Sequence, residues 1–175
     1  NIVAAGILNQ KAEGVQVPDT LFVPRPPALC AGCPHRGFFY ELAKRKDTVM
    51  VGDIGCYALG GAAPLSAKDL AVCMGSAFAV SHGLCHGFAM SGQKKRVVGV
   101  MGDSTFFHTG INSLTEVSYN QSPSICVILD NRITGMTGHQ ENPGTGYTIK
   151  GEPTTLIDIE TVVRALGLKH VRTVN

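Results

Sequence analysis

Two side chains that carry oxygen, Asp103 and Asn131, stand just after two apolar segments, residues 96–101 and 124–129. Carboxylate and amide oxygens are ligands that Mg²⁺ prefers, usually one or two of them together with phosphate oxygens. A helix that begins at Asp103 would also present free N–H groups to a diphosphate. The pair therefore indicates a site for magnesium and a phosphate-bearing ligand. The alternative at this point is that Asp103 only caps the next helix.

The elements that position these residues follow an alternating pattern. Short β-branched runs alternate with longer helical patterns, which is typical of parallel strands joined by helical crossovers. The predicted strands are Thr48–Gly52, Asp69–Cys73, Arg96–Met101, Ser124–Leu129 and His170–Val174. The predicted helices are Gly37–Lys46, Gly75–Met90, Thr109–Asn120 and Asp158–Leu166. The runs 97–100 and 125–129 are apolar on both faces, which predicts central strands.

This pattern predicts an α/β fold, a three-layer α/β/α domain with a mostly parallel sheet of five to six strands. Ligands of open α/β sheets bind beyond the carboxyl ends of the strands. Glycine and polar residues follow four of the predicted strands, at 53–56, 74–76, 102–104 and 130–133. These four strand ends are expected to form one crevice. Residues 131–155 are predicted to be a long ordered loop, and such loops are usually functional.

Composition excludes several classes of protein. Of the 175 residues, 44% are hydrophobic and 16% are charged, which indicates a globular domain rather than a disordered chain. The net charge of +2 gives no reason to expect a nucleic-acid partner. The apolar stretch 75–90 contains serine and histidine, so it predicts a buried helix and not a membrane span.

The first 27 residues are predicted to be a linker or leader from a longer chain, followed by one domain over residues 28–175. This segment contains four of the prolines, and the chain starts at Asn1 rather than Met. The six cysteines show neither a disulfide framework nor the spacing of ferredoxin clusters. We therefore expect a cytoplasmic protein, with any iron–sulfur cluster outside this chain.

The spacing around Asp103 resembles the thiamine-diphosphate motif, in which Gly-Asp-Gly is followed by some two dozen residues and Asn-Asn. Here Gly102-Asp103-Ser104 is separated by 25 residues from Asp130-Asn131. The resemblance implies that Asp103, Asn131 and the backbone carbonyl of Ile133 bind Mg²⁺. Ser104 and Asp130 depart from the general pattern, and neither change removes a ligand.

Four segments, in the family's order, resemble the 2-oxoacid:ferredoxin oxidoreductases over roughly residues 25–175. The segments are 30–37, 52–57, 102–108 and 134–140. They are most similar to the thiamine-binding domain of the alpha subunit in the indolepyruvate branch of that family. The resemblance implies a thiamine-diphosphate-binding fold in an enzyme that oxidatively decarboxylates aryl 2-oxo acids such as indolepyruvate. The implied products are an acyl-coenzyme A, CO2 and reduced ferredoxin.

The resemblance also implies cofactors and partners. The cofactors would be thiamine diphosphate and Mg²⁺, with 4Fe-4S clusters elsewhere in the parent enzyme. The partners would be a pyrimidine-binding thiamine domain of the same parent chain, a beta subunit, ferredoxin, coenzyme A and the aryl 2-oxo acid. The glutamate that activates the cofactor is expected in the pyrimidine-binding domain. Glu41, Glu116, Glu141 and Glu152 do not match its motif, so this chain is expected to be half of a site, inactive alone.

The family likeness implies further roles for single residues. Met74 resembles the apolar wedge that bends the cofactor, and the carbonyl of Gly75 would accept a hydrogen bond from its aminopyrimidine. The other residues implied to bind the cofactor are Gly55, Gly102, Ser104, Thr134, Gly135, Met136 and Thr137. The candidate catalytic residues, which would line the thiazolium or diphosphate side, are Cys33, His35 and Cys56.

Other interpretations of these residues stay open. Cys30 and Cys33 would also suit half of a zinc site, and His82 and His86 a two-histidine metal face or ordinary helix packing. Met74 would equally suit the core. The aromatic and histidine residues Phe106, Phe107, His108 and His139 are candidates for pocket walls and proton transfer, or for packing and loop caps. Asp158 and Glu160 are predicted to open the last helix.

Two alternative functions also remain. The first is a non-oxidative thiamine-dependent enzyme, either a 2-oxo-acid decarboxylase or a relative of acetolactate synthase. The second is a structural metal-binding domain, in which residues 30–33 form a metal knuckle that mediates subunit contact.

Overall fold

The fold is taken from a computed structural model, which describes residues 2–9 and 18–174 of the chain. The strands are β1 (Thr48–Gly52), β2 (Arg96–Gly102) and β3 (Ile125–Leu129). The helices are α1 (Ile2–Ile7), α2 (His35–Ala43), α3 (Ala77–Met90), α4 (Asp103–Thr105), α5 (Ile111–Tyr119) and α6 (Ile159–Ala165). Two 3₁₀ segments lie at Asp19–Leu21 and Cys56–Gly61, and a π-helical turn, Phe106–Gly110, joins α4 to α5.

The three strands form one parallel sheet in the order β1-β2-β3. Gly52 of β1 is opposite Val100 of β2, and Gly102 of β2 is opposite Leu129 of β3. Helix α3 connects β1 to β2, and the helical run from α4 to α5 connects β2 to β3. All three carboxyl ends therefore lie at one edge of the sheet, where a parallel α/β fold places its ligands.

Side chains of β2 alternate between two hydrophobic clusters, as a buried strand requires. Val97 and Met101 pack in one cluster with residues of α3, α5 and α6. Val98 and Val100 pack in the other with Phe39 of α2. Helices thus cover both faces of the sheet, and the predicted α/β/α layering agrees with this packing.

The predicted sheet of five to six strands is wrong, because the described residues form three. The predicted strand Asp69–Cys73 meets β1 only at the bridge between Leu70 and Val51. The carboxylate of Asp69 accepts a hydrogen bond from the Met50 N–H at 2.8 Å. In a longer parallel ladder of this register the Met50 N–H would donate to the carbonyl of residue 68, so the Asp69 side chain ends the pairing on the amino side of the bridge.

The other missing strand is His170–Val174, which has no ladder partner among the described residues. Its atoms bind helix α6 instead: Thr173 donates to Glu160 at 2.5 Å, and Arg164 donates to the Val171 carbonyl at 3.3 Å. Consequently β3 is an edge strand within the described sheet, and Ile125 is 49% exposed. The expectation that β3 is a central strand is therefore wrong within the described sheet. Its coverage on both faces is confirmed, because Cys126 and Ile128 pack against one hydrophobic cluster and Val127 and Leu129 against the other.

All four predicted helices are present, and their ends differ from the predicted ones by at most three residues. The third helical region begins earlier than expected, at Asp103, because α4 and the π-helical turn precede α5. Asp158 accepts a hydrogen bond from the Thr161 N–H at 2.7 Å. Its predicted place at the start of the last helix is therefore confirmed.

The predicted linker is described only in part. Residues 18–28 are exposed and Leu29 is buried, while residues 10–17 lie outside the described residues. Helix α1 was not predicted. The division of the chain at residue 28 stays a prediction. No helix in the described ranges is long and apolar enough to cross a membrane.

Candidate functional site

Asp103 begins helix α4 directly after β2, and its carboxylate is almost fully buried, with 1% exposure. Burial raises the pKa of this carboxyl group above its ordinary range, and hydrogen-bond donation from Asn142 opposes the shift. Among the described residues, no lysine, arginine or histidine nitrogen lies within 4.0 Å of it. A buried carboxylate without a cationic neighbour is costly, so a bound cation would stabilise this arrangement.

The three atoms implied to bind magnesium meet at this place. One atom of the Asn131 side-chain amide lies 3.0 Å from Asp103 Oδ1 and 2.9 Å from the carbonyl oxygen of Ile133. In the orientation that satisfies both groups, this atom is the amide nitrogen and donates to both oxygens. When the amide is turned over, its oxygen takes the same place beside the other two oxygens, which is the orientation that a bound cation requires. Neighbouring oxygens of a magnesium octahedron, with bonds of about 2.0–2.1 Å, are about 2.9 Å apart. The residues therefore fit Mg²⁺.

Asn142 is a site residue that the sequence analysis missed. Its Nδ2 donates to Asp103 Oδ2 at 2.8 Å, and its Oδ1 accepts from the Gly144 N–H at 2.8 Å. The side chain is 8% exposed. Asn142 therefore fixes the Oδ2 atom of Asp103, while the Oδ1 atom of the same carboxylate faces Asn131. Its place in a long Gly- and Pro-rich loop was the only sequence signal for it.

A cleft of about 470 Å³ is lined by Ser104 and Asn142, the chain neighbour and the hydrogen-bond partner of Asp103. Its walls come from four separate parts of the chain: Met74, Ser104, Phe107, His108, Thr134, Glu141, Asn142 and Pro143. The hydroxyl groups of Ser104 and Thr134 are hydrogen-bonded at 2.7 Å, which ties the end of β2 to the long loop. Three of the residues expected at the cofactor (Met74, Ser104 and Thr134) thus share one cavity.

The cleft also distinguishes between the alternative roles, core or pocket wall, of Met74, Phe106 and Phe107. Met74 is 42% exposed and lines the cleft, so its assignment to the core is wrong. Phe106 is fully buried in the core, whereas Phe107 forms part of the cleft wall. A second cavity, of about 230 Å³, lies near the amino ends of β2 and β3, around Arg96 and Ile125. That end is not where parallel sheets bind ligands.

Asp53, which follows β1, shapes the turn that carries Met74. Its fully buried carboxylate accepts hydrogen bonds from the N–H groups of Ile54 and Gly75, both at 2.8 Å, and of Ala77 at 3.0 Å. Helix α3 has no hydrogen bond from its own N-cap side chain. Asp53 therefore caps α3 from 24 residues away and fixes the approach of Met74 to the cleft. The sequence analysis did not single out this residue.

Gly75 is held tightly in this turn. Its φ is +81°, and a β-carbon added there would lie 1.9 Å from Thr109 Oγ1. We expect Gly75→Ala to lower the free energy of unfolding by about 2–4 kcal/mol, from left-handed backbone strain and overpacking together. Urea denaturation measures this change.

The matched control is Gly83→Ala in helix α3, where nothing lies within 4 Å of the added β-carbon. Alanine there is expected to raise stability by about 0.5–1 kcal/mol. Equal stabilities of the two variants would contradict the tight packing at Gly75.

The segment implied to bind the diphosphate forms a small hairpin. Thr134 and Gln140 exchange backbone hydrogen bonds at 2.9 and 3.2 Å, and the Gly138 N–H donates to the Gly135 carbonyl at 3.2 Å. These bonds use the N–H groups of Thr134 and Gly138. At most the N–H groups of 135–137 remain for a diphosphate, and Met136 at the tip is 52% exposed.

The backbone at Gly102 is close to a side chain from another element. A β-carbon at Gly102 would lie 2.1 Å from Cε2 of Tyr57. The ring of His35 packs against that of Tyr57, with centroids 5.3 Å apart and ring planes tilted by 46°. Burial lowers the pKa of His35, and the charge of Asp103 raises it in part. The absence of a side chain at Gly102 therefore makes room for Tyr57.

The candidate catalytic residues do not line the cleft. Cys33 and Cys56 are half-buried and His35 is buried. Burial raises the pKa of the Cys56 thiol, and the neighbouring Cys33 and Cys30 raise it further. The structure thus gathers these cysteines near the end of β1. Their catalytic role, like the cofactor role of Gly55, stays a prediction.

Metal sites of other kinds find little support within the described ranges. No group of three or more histidine, cysteine, aspartate or glutamate side chains is arranged there to hold a metal. The rings of His82 and His86 pack edge to face, with centroids 4.5 Å apart. This contact agrees with ordinary packing along α3.

Residues 53–175 match the family described as thiamine pyrophosphate enzyme, C-terminal TPP binding domain. Subunit IorA of indolepyruvate oxidoreductase from Archaeoglobus fulgidus is 44% identical over 156 residues, which are 87% of this chain and 24% of that protein. The IorA proteins of Pyrococcus horikoshii and Methanothermobacter marburgensis are 43% and 42% identical, over 87% and 93% of this chain and 25% and 26% of theirs. The chain spans about a quarter of the length of these relatives.

Solved structures share the fold. A 2-oxoglutarate:ferredoxin oxidoreductase from Magnetococcus marinus, with 2-oxoglutarate, coenzyme A and succinyl-CoA bound, superposes with a TM-score of 0.62 at 20% identity, over 82% of this chain and 53% of that chain. Benzoylformate decarboxylase from Polynucleobacter necessarius superposes with a TM-score of 0.54 at 18% identity, over 93% and 30% of the two chains. Identities this low establish a common fold and no shared reaction.

Proposed function

Because the chain belongs to the thiamine pyrophosphate enzymes as a C-terminal TPP-binding domain, we propose that it holds thiamine diphosphate with Mg²⁺ in an oxidoreductase of aryl 2-oxo acids. The observation that carries the magnesium site is the convergence of Asp103 Oδ1, the Asn131 amide and the Ile133 carbonyl within 3.0 Å. The buried, unpaired charge of Asp103 supports the same assignment.

The chain's own residues would divide the tasks of binding. Asp103, Asn131 and the Ile133 carbonyl would hold the ion, and Asn142 would keep the carboxylate turned toward it. Thr134 and the N–H groups of 135–137 would contact the diphosphate. Met74 and the Gly75 carbonyl, fixed by Asp53, would support the rest of the cofactor. When bound, thiamine diphosphate supplies the electron sink for decarboxylation.

The reaction of the whole enzyme is proposed from its relatives. Indolepyruvate oxidoreductase subunits at 42–44% identity favour an indolepyruvate-type substrate. An acyl-coenzyme A, CO2 and reduced ferredoxin would be the products, and the electrons would leave through 4Fe-4S clusters outside this chain. A pyrimidine-binding domain of the parent chain, a beta subunit and ferredoxin would complete the assembly.

The first test is calorimetric titration of the purified chain with thiamine diphosphate. We expect binding in the presence of Mg²⁺ and its loss in EDTA, because the ion links the buried carboxylate to the diphosphate. Binding is expected to be weak, since the pyrimidine-binding half of the site is missing. The intact enzyme subunit, titrated in the same way, should bind more tightly.

Turnover separates this proposal from the non-oxidative alternative. The isolated chain is expected to release no CO2 from indolepyruvate, whereas the intact enzyme should do so only with coenzyme A and oxidised ferredoxin. CO2 release by the intact enzyme without an electron acceptor would favour the decarboxylase. Magnesium-independent binding in both the chain and the intact subunit would overturn the proposed metal site.

A further inference from the structure

We propose that Tyr57 is a positioning residue that sets the spacing between the two strand ends that carry Asp103 and Asn131, and so favours Mg²⁺ over larger ions. This inference rests on the proposed function, since it concerns the same metal site. Tyr57 ends the segment 52–57 and lies outside the two motifs that carry Asp103 and Asn131, 46 residues before the first and 74 before the second.

The ring of Tyr57 is pressed against the residue that precedes Asp103. A β-carbon at Gly102 would lie 2.1 Å from Cε2, 2.4 Å from Cζ and 2.4 Å from the hydroxyl oxygen of this ring. In a close-packed interior, a shift of one group displaces the groups that it touches. Because a β-carbon points out of the plane of the sheet, the ring lies over the face of the sheet at Gly102 and limits how far the end of β2 can move toward that face.

The hydroxyl of Tyr57 reaches the third strand. It donates a hydrogen bond to the Leu129 carbonyl at 3.1 Å, and Leu129 ends β3 just before Asp130-Asn131. Burial raises the pKa of this hydroxyl well above its ordinary range, so it keeps its proton and remains a donor. The Tyr57 side chain thus contacts Gly102, which precedes Asp103, and Leu129, which lies two residues before Asn131.

Tyr57 is itself held firmly. It is 6% exposed and belongs to the hydrophobic cluster that includes Phe39 and Val100. His35 packs against its ring at a tilt of 46°. The 3₁₀ segment that carries Tyr57 starts after Gly55, whose φ is +112°. A buried ring on a short, fixed segment suits a spacer between strand ends.

A fixed spacing matters for the choice of ion. Magnesium requires near-octahedral oxygens at about 2.0–2.1 Å, while calcium accepts irregular sets at about 2.3–2.6 Å. If Tyr57 holds the two strand ends together, removing its contacts relaxes the site toward the larger ion. A purely structural role would weaken binding of both ions equally.

The test measures the dissociation constants of Mg²⁺ and Ca²⁺ in a fixed excess of thiamine diphosphate, by calorimetry on the metal-free intact enzyme subunit. We expect Tyr57→Ala to lower the ratio of Mg²⁺ to Ca²⁺ affinity about tenfold, the lower end of the range for groups that orient metal ligands. Tyr57→Phe, which loses only the hydrogen bond to Leu129, should lower it by a smaller factor. The control is Tyr119→Ala, at a tyrosine that is 83% exposed at the end of α5. This substitution should leave the ratio of Mg²⁺ to Ca²⁺ affinity unchanged.

The possible outcomes are distinct. A normal ratio in both Tyr57 variants, or an equal loss of affinity for both ions, would overturn the role of Tyr57 while the site itself stands. Should Tyr57→Ala fail to fold, the phenylalanine variant decides, since it keeps the packing. A wild-type subunit that binds thiamine diphosphate without any divalent ion would overturn the proposed function instead.

Discussion

We expect Asp103→Ala to lower the magnesium-dependent affinity for thiamine diphosphate by more than about 100-fold, beyond the 10–100-fold typical of groups that only orient a ligand. The substitution removes the one carboxylate among the three converging ligand groups, and therefore the charge that attracts the ion. Calorimetric titration of the chain and of the intact subunit, each with Mg²⁺ and with EDTA, measures the loss.

Two companion variants separate ligation from charge. Asp130→Asn removes a neighbouring carboxylate that instead accepts a hydrogen bond from the Arg132 N–H at 2.9 Å, and it should leave binding within about tenfold of the wild type, because it removes charge without a ligand. Asn142→Ala keeps all three ligands but frees the carboxylate, so a loss of about 10–100-fold is expected. If Asp103→Ala binds as well as Asp130→Asn, Asp103 is not a ligand.

The second large effect concerns the buried carboxylate of Asp53. We expect Asp53→Ala to lower the free energy of unfolding by about 3–5 kcal/mol, because three backbone N–H groups would lose their acceptor inside the protein. The orphaned groups are those of Ile54, Gly75 and Ala77. Urea denaturation of the metal-free chain, followed by circular dichroism, gives the value.

The control for this prediction is Asp47→Ala. Asp47 faces Arg96 at 3.6 Å across the amino ends of β1 and β2, and both side chains are more than half exposed. Pairs of this kind contribute about 0–1 kcal/mol. Asp53→Asn keeps one acceptor oxygen and should fall between the two alanine variants. If Asp53→Ala lowers the free energy of unfolding no more than Asp47→Ala does, the turn at Met74 does not depend on the Asp53 carboxylate.

Local patterns in the sequence predicted most of the regular elements. Strand β1 agrees residue for residue, and β2 and β3 differ from their predicted ends by one residue. Strands and helices are recognised from runs of β-branched residues and from helical periodicity. Both patterns lie within a short stretch of the chain, so they can be identified without knowledge of the fold. The strand predicted over residues 69–73 failed where long-range contacts decide the pairing, and one of them is the Asp69 side chain, which takes the Met50 N–H.

The sequence by itself determined which oxygen-bearing side chains stand at the carboxyl edge of the sheet. Asp103 and Asn131 follow two strands that are recognised from their own apolar residues. Only the tertiary structure decided how these residues are held. Asn142, Asp53 and Tyr57 act on partners 39, 24 and 72 residues away. Contacts across such separations leave no periodicity in the chain, since they arise when strands, loop and helix ends meet. For the same reason, segment 52–57 contains Tyr57 but does not indicate that the ring of Tyr57 occupies the space at Gly102.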